Sequence, residues 1–225
     1  MIKINRWAGG FNMAKLHFLY GAMNCGKSDT MISTAFNYAE NGLKVVTMMP
    51  EMSMRKPGFT TSRAGKEWPI DIATHKAGDK LPDETKFEDS TPVYETLHKL
   101  IGDRAVQCVL VDEVNFMSPE QVDDLEKIAK IDDTSVIAFG IRTDIQRHLF
   151  EGTRRMFELA DTVKKMPTMC PCGQQAEFNG RFVDGNFHVG EPIVWIDNDP
   201  TRVRYQSLCG QCYLDNASSP GAITK

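Results

Sequence analysis

The first strong pattern along the chain is a short apolar run, Leu16-His17-Phe18-Leu19-Tyr20, which stops at Gly21 and predicts a buried strand. Residues 28–40 then place Met31, Ala35, Tyr38 and Ala39 at helical spacing, and Asn41-Gly42 follows as a helix stop. The stretch at 44–49 predicts a second strand, ended by Pro50, so the chain opens as strand, glycine loop, helix and strand, one βαβ unit. Residues 51–69 are rich in Pro, Gly, Lys and Thr without periodicity and read as a loop that orders over a ligand. Further on, 70–73 reads as a short strand, 91–101 as a helix carrying Val93, Leu97, Leu100 and Ile101, and 108–111 as a wholly apolar strand. Ser118-Pro119-Glu120-Gln121 has the form of a capping box with proline at the first helical position; it opens an amphipathic helix to residue 131, and 135–139 is another strand.

Strands and helices alternating in this way predict an α/β fold, a mostly parallel sheet flanked by helices on both faces. The pattern breaks near Pro167, beyond which come two cysteine pairs, short β-like pieces, a Gly/Asp/Asn-rich loop and a polar tail from Asn216. The expected division is a main domain at 13–166, a small lobe at 167–215 and a tail at 216–225. Met13-Ala14-Lys15-Leu16 reads like a natural protein start, so residues 1–12 are either a disordered extension outside the fold or a part of it.

The 225 residues suffice to bury a core of this kind, and 41% hydrophobic with 25% charged residues is ordinary for a globular chain. A net charge of −4 gives no broad positive field, and the close basic pairs near the small lobe are only Lys164-Lys165 and Arg202-x-Arg204, so no nucleic-acid partner is expected. No apolar run approaches the roughly 20 residues that span a bilayer, and residues 1–12 lack the apolar core of a signal peptide, so a cytoplasmic location without membrane contact is expected.

Candidate chemistry enters at the glycine loop. Gly21-Ala22-Met23-Asn24-Cys25-Gly26-Lys27-Ser28 fits G-x-x-x-x-G-K-S between a strand and a helix, the context in which backbone N–H groups cradle phosphates, Lys27 reaches the β and γ phosphates and Ser28 ligates Mg²⁺. The alternative is a glycine turn with no ligand. Asp112-Glu113 closes the apolar strand at 108–111, where a carboxylate organises Mg²⁺ through water; Glu113 is then free to take the proton of an attacking hydroxyl. An acidic pair after a strand is otherwise a solvated loop. Cys170-Pro171-Cys172 and Cys209-Gly210-Gln211-Cys212 offer four thiolates for a closed, structural Zn²⁺ site, with unliganded thiols or a redox pair as the other reading.

Together these pieces resemble the thymidine kinase family of bacterial, phage and cytosolic type over roughly residues 13–215. The phosphate loop carries the family's methionine as Met23. Asp112-Glu113-Val114-Asn115-Phe116 matches an Asp-Glu-x-Gln-Phe motif, and Gly140-Ile141-Arg142-Thr143-Asp144-Ile145, with Phe150 beyond it, matches a Gly-Leu-Arg-Thr-Asp-Phe segment. Cys170-Pro171-Cys172-Gly173 and the run from Tyr205-Gln206-Ser207-Leu208-Cys209 to Cys212 match the closing elements. The resemblance implies transfer of the γ-phosphate of ATP, with Mg²⁺, to the 5′-hydroxyl of thymidine or deoxyuridine by a homotetramer with a structural Zn²⁺. It implies Glu113 as general base, and an ATP site formed by the phosphate loop with Asp112, Glu113, Val114 and Asn115. It also implies a nucleoside pocket of Met23, Arg55, Phe116, Ile141, Phe150, Asn179, Ile193, Val194, Trp195, Ile196, Asp197 and Tyr205, closed by a lasso-like loop. For the apolar members of that pocket the alternative is ordinary core packing.

Several positions depart from the family pattern. Where relatives carry Asp-x-Arg for the sugar, this chain has Ser53-Met54-Arg55; Asn115 stands for Gln, Ile145 for Phe, and Asp197-Asn198 for the Gly-Gly of the lasso. Phosphoryl chemistry is therefore a firmer expectation than the identity of the base. A hydrolytic P-loop ATPase or another deoxynucleoside kinase is the competing enzyme reading, no Asn-Lys-x-Asp motif points to a GTPase, and a zinc ribbon on a nucleotide-gated domain that contacts nucleic acid is the competing binding reading.

Overall fold

The computed structural model describes residues 14–80, 86–192 and 202–223. In chain order it runs β1 (Leu16–Tyr20), α1 (Lys27–Glu40), β2 (Val45–Pro50), a 3-10 turn (Glu51–Ser53), β3 (Phe59–Thr61), β4 (Glu67–Pro69) and β5 (Ile72–Thr74). It continues with α2 (Val93–Ile101), β6 (Cys108–Val111), a second 3-10 turn (Val114–Phe116), α3 (Pro119–Lys130), β7 (Ser135–Gly140), α4 (Glu151–Leu159) and β8 (Thr162–Lys165). A smaller unit follows, made of β9 (Phe178–Val183), β10 (Asn186–Phe187), β11 (Val203–Leu208) and α5 (Gly210–Ala217).

Six strands form a parallel sheet in the order β5-β2-β6-β7-β1-β8. Its central strands are apolar on both sides because both faces are covered, as the helix–strand alternation predicts. In β6, Val109 and Val111 join the core beneath α2, α3 and α4, while Cys108 and Leu110 join the core beneath α1. β7 divides in the same way, Val136 and Ala138 to one face, Ile137 and Phe139 to the other. All the β6 residues are fully buried, each worth roughly 1.5–3 kcal/mol if large and apolar, so this strand is a rigid base for the turn at its C-terminal end. α3 starts as expected, with Ser118 accepting from the Gln121 N–H, the Gln121 side chain accepting in return, and Pro119 at the first position.

Residues 51–69 are not the featureless loop that their composition suggests. β3 and β4 pair as an antiparallel hairpin (Thr60 opposite Trp68), Thr60 is fully buried, and Lys66 reaches Asp29 of α1 at 3.1 Å. The next strand begins two residues later than expected, because Ile70 N–H bonds back to Gly58 and Asp71 Oδ2 is spent on Thr47 of β2. α4 and the exposed edge strand β8 give little sequence signal, since the first is short and carries Gly152 in its first turn and the second is polar. In the small unit, Asp184-Gly185 (φ 48° and 82°) forms the tight left-handed turn between β9 and β10 that an Asp-Gly pair favours. Helicity in α5 continues to Ala217, and Ile223 exchanges backbone hydrogen bonds with Phe187 and Val189, so the tail read as polar closes onto this unit.

Candidate active site

The loop 21–28 leaves β1, which lies between β7 and the edge strand β8, and enters α1. Asn24 (φ 67°) and Gly26 (φ 79°) take left-handed conformations, which turn successive N–H groups toward one side, and the N-terminus of the 14-residue α1 adds its partial positive charge there. Gly21 is required for a different reason: a Cβ there would stand 2.5 Å from Cys25 Sγ and 2.9 Å from the Met166 carbonyl. Lys27 is 6% exposed, and its ammonium donates to the Ala22 carbonyl at 3.1 Å and lies 3.6 Å from Cys25 Sγ. A buried lysine at the N-terminus of a helix, behind a loop with two left-handed residues, is an arrangement that suits an anion.

The second half of the site is the turn after β6. Asp112 is fully buried; its Oδ2 accepts from Thr60 Oγ1 at 2.8 Å and its Oδ1 from the Glu113 N–H at 3.0 Å. Each oxygen keeps a lone pair, so Asp112 fits a water-mediated hold on Mg²⁺ together with Ser28. Glu113 itself sits at φ 52°, ψ 39°, a conformation uncommon for a side chain of this kind and found where a site demands it. Burial first, then the neighbouring Asp112 charge, raise its pKa above the ordinary glutamate value; Lys27, a hydrogen bond with Asn115 and Arg55 pull the other way without prevailing. A carboxylate raised in this manner accepts protons more readily than a solvated one.

What holds that turn is a pair of glycines and an asparagine. Asn115 Oδ1 accepts from the Ile141 N–H at 3.0 Å, and a Cβ on Gly140 would already press Asn115 Oδ1 and Val114 Cγ1 at 3.0 Å. A Cβ on Gly152 would meet the Val114 carbonyl at 2.2 Å and the Met117 carbonyl at 2.7 Å, both backbone atoms that cannot swing aside. Gly152→Ala is therefore expected to displace either α4 or the Glu113 turn and to lower the melting temperature by several degrees, on the order of a 1–3 kcal/mol overpacking cost. Thermal melts of the variant against wild type check this; an unchanged melt would mean that the close approach is not maintained. The sequence signal for Gly152 is a glycine inside an otherwise helical segment.

Of the expected nucleoside-pocket residues, Phe116 and Phe150 meet edge to face with centroids 5.4 Å apart and planes at 73°. Ile141 follows β7 directly, bonded to Asn115 through its N–H and to Thr153 through its carbonyl. Arg55 is exposed just past the 3-10 turn, and Ser53, at the place of the family carboxylate, spends its hydroxyl on the Pro50 carbonyl at 2.7 Å. Tyr205 is half-buried on β11, and Asn179 on β9 accepts from the Met23 N–H of the phosphate loop at 2.7 Å. Ile193, Val194, Trp195, Ile196 and Asp197 lie outside the described residues. The hairpin adds two groups that the sequence did not single out. Thr60 orients Asp112, and Arg63, at the hairpin tip, has its pKa pressed down by burial and by the charge of Arg55, which places two guanidiniums in one neighbourhood.

The four cysteines of the small unit converge, with all Sγ atoms within 4.8 Å of one another and Cys172 Sγ 3.6 Å from Cys209 Sγ. A tetrahedral zinc with Zn–S near 2.3 Å needs sulfur–sulfur edges of roughly 3.8 Å, so the donor set fits that ion and leaves no open position. Burial would push the Cys170 thiol up, but backbone N–H groups of Cys172 and Cys209 draw it down to about 7, while its thiol neighbours push Cys212 up.

Comparison with known proteins places the chain among relatives of one family. The family model described as thymidine kinase matches residues 14–213. A thymidine kinase of Salmonella typhimurium is 31% identical over 215 residues, covering 94% of this chain and 96% of the relative. Thymidine kinases of Chromobacterium violaceum (35% over 202 residues, 89% of this chain and 98% of the relative) and Haemophilus influenzae (32% over 206 residues, 88% and 100%) are similar over nearly the same span.

Proposed function

This chain belongs to the thymidine kinase family, and from that premise we propose that it moves the γ-phosphate of ATP to the 5′-hydroxyl of thymidine or deoxyuridine, with Glu113 as the general base. The observation that carries the assignment of the base is Glu113 itself, raised in pKa by burial and Asp112, and set in a left-handed turn within the field of Lys27. The family and the names of the relatives support the nucleoside; they are thymidine kinases over almost the whole length compared.

In this reading the N–H groups of residues 21–28 and the Lys27 ammonium hold the triphosphate, and the hydroxyl of Ser28 with the carboxylate of Asp112 holds Mg²⁺, the latter through water. Mg²⁺ held by Ser28 and Asp112 would supply positive charge to offset the charge that develops on the phosphates. Phe116, Phe150, Ile141, Met23, Asn179 and Tyr205 form the nucleoside side of the cleft with Arg55. Glu113 accepts the hydroxyl proton as the oxygen meets the γ-phosphorus in line, and exclusion of water keeps transfer ahead of hydrolysis. Zinc, when bound, closes the cysteine lobe as a staple. The proposal includes the division at 13–166 and 167–215, a homotetrameric assembly and a cytoplasmic site of action.

Purified protein with ATP and Mg²⁺ is expected to consume ATP only when thymidine or deoxyuridine is added, against a panel of other nucleosides and a no-acceptor control. Equal consumption without acceptor would make the chain an ATPase. Turnover confined to another nucleoside would keep the phosphoryl chemistry and move the base specificity.

A further inference from the structure

The phosphate loop is built into the core of the cysteine lobe. Ala22, 5% exposed, shares one apolar cluster with Cys170, Ala176, Leu208 and Cys209. At the next residue both backbone polar groups are taken by side chains of that lobe: Met23 N–H donates to Asn179 Oδ1 at 2.7 Å, and the Met23 carbonyl accepts from Ser207 Oγ. Asn179 on β9 and Ser207 on β11 stand directly opposite each other in the antiparallel ladder, and both are buried, at 3% and 4% exposure. β11 ends at Leu208, immediately before the thiol of Cys209. The register of these two strands thus fixes the distance between the two gripping groups, and with it the tilt of the Met23 peptide. Left-handed turns at Asn24 and Gly26 follow at once, so a rotation at Met23 is carried to the N–H groups ahead of Lys27.

We infer that Asn179 and Ser207 are positioning residues that clamp the phosphate loop, so that the cysteine lobe sets affinity for the triphosphate of ATP in addition to closing on the nucleoside. The inference rests on the phosphate loop binding ATP as proposed above. Neither side chain touches phosphate. They act through the Met23 peptide, where loss of either partner leaves a backbone group unsatisfied and the inward N–H array free to shift.

The test is the dissociation constant of a fluorescent ATP analogue with Mg²⁺ and no nucleoside, measured on the full chain with its metal. Wild type is compared with Asn179→Ala/Ser207→Ala, Ser207→Ala and Ser207→Thr, with zinc content and melting recorded for each. The double variant is expected to bind roughly tenfold more weakly and Ser207→Ala roughly threefold, with KM for ATP rising in parallel and kcat changing less. Ser207→Thr, which keeps the hydroxyl, is expected to restore binding, and chelation of the metal from wild type to weaken the analogue as the double variant does. A double variant that retains zinc and binds the analogue as tightly as wild type overturns the clamp. If the double variant loses its metal, Ser207→Ala decides alone, and unchanged binding there has the same meaning. Failure of wild type to bind the analogue at all overturns the phosphate-loop reading and the clamp with it.

Discussion

Glu113→Gln is expected to lower kcat by roughly 10²–10⁴-fold while ATP and Mg²⁺ bind as in wild type, the size of effect that comes from removing a positioned general base. Glutamine keeps the shape of the side chain and its contact with Asn115 but cannot take a proton. Single-turnover transfer and direct nucleotide binding separate the two effects; equal turnover in the variant would remove Glu113 from the reaction. The pH profile supplies a second reading. The carboxylate must be ionised to act, and its pKa is raised by burial and by Asp112, so the acid limb of kcat/KM is expected above the ordinary glutamate value of about 4.3 and to be absent in the variant's residual activity. Stability moves in the opposite sense. A carboxyl whose folded pKa exceeds its unfolded value stabilises the protein most below the unfolded value, and that contribution is lost as the pH rises through the folded one. Once ionised, the buried Glu113 carboxylate is a burden on the fold, and the glutamine variant is expected to melt no lower than wild type above that titration.

The second large effect is expected at the cysteine cluster. Structural zinc in small domains contributes on the order of 10–16 kcal/mol of apparent binding energy that is also folding energy, at least as much as burial of the small core of Cys170, Ala176, Phe182, Phe187, Leu208 and Tyr213 provides. Cys209→Ser removes one of four converging ligands and the group that accepts from the Cys212 N–H at the start of α5. The variant is expected to release its metal to a chelator that leaves wild type intact, to melt earlier, and to show a raised nucleoside KM, because Tyr205 stands on β11 of the same lobe. Metal content by elemental analysis and melting curves check this. Unchanged values for both would mean that the thiols are not a metal site.

Much of the chemistry was visible in local sequence, because local chain geometry creates it. A phosphate loop needs two glycines, a lysine and a serine at fixed spacing between a strand and a helix, and residues 21–28 supply all of them within eight positions. The apolar strand at 108–111 predicts its own burial, and therefore the placement of Asp112 and Glu113 at its end. The capping box of α3 and the Asn41-Gly42 stop of α1 are equally local.

The hairpin was not legible. Its strands are three residues each, Thr60 is polar, and only the distant Asp112 carboxylate gives that hydroxyl a reason to be buried. The role of Gly152 was not legible either: a glycine in a helical segment marks the position, but its value lies in two carbonyls more than thirty residues earlier in the chain. Sequence alone determined which groups can handle phosphate, proton and metal, because those capacities belong to residue types at short spacing. Only the tertiary structure decided how they are held: α4 packed against the Glu113 turn, Thr60 on Asp112, and Asn179 with Ser207 across the Met23 peptide. Each of these is a contact between segments far apart in the chain, and its energy exists only once the sheet has brought them together.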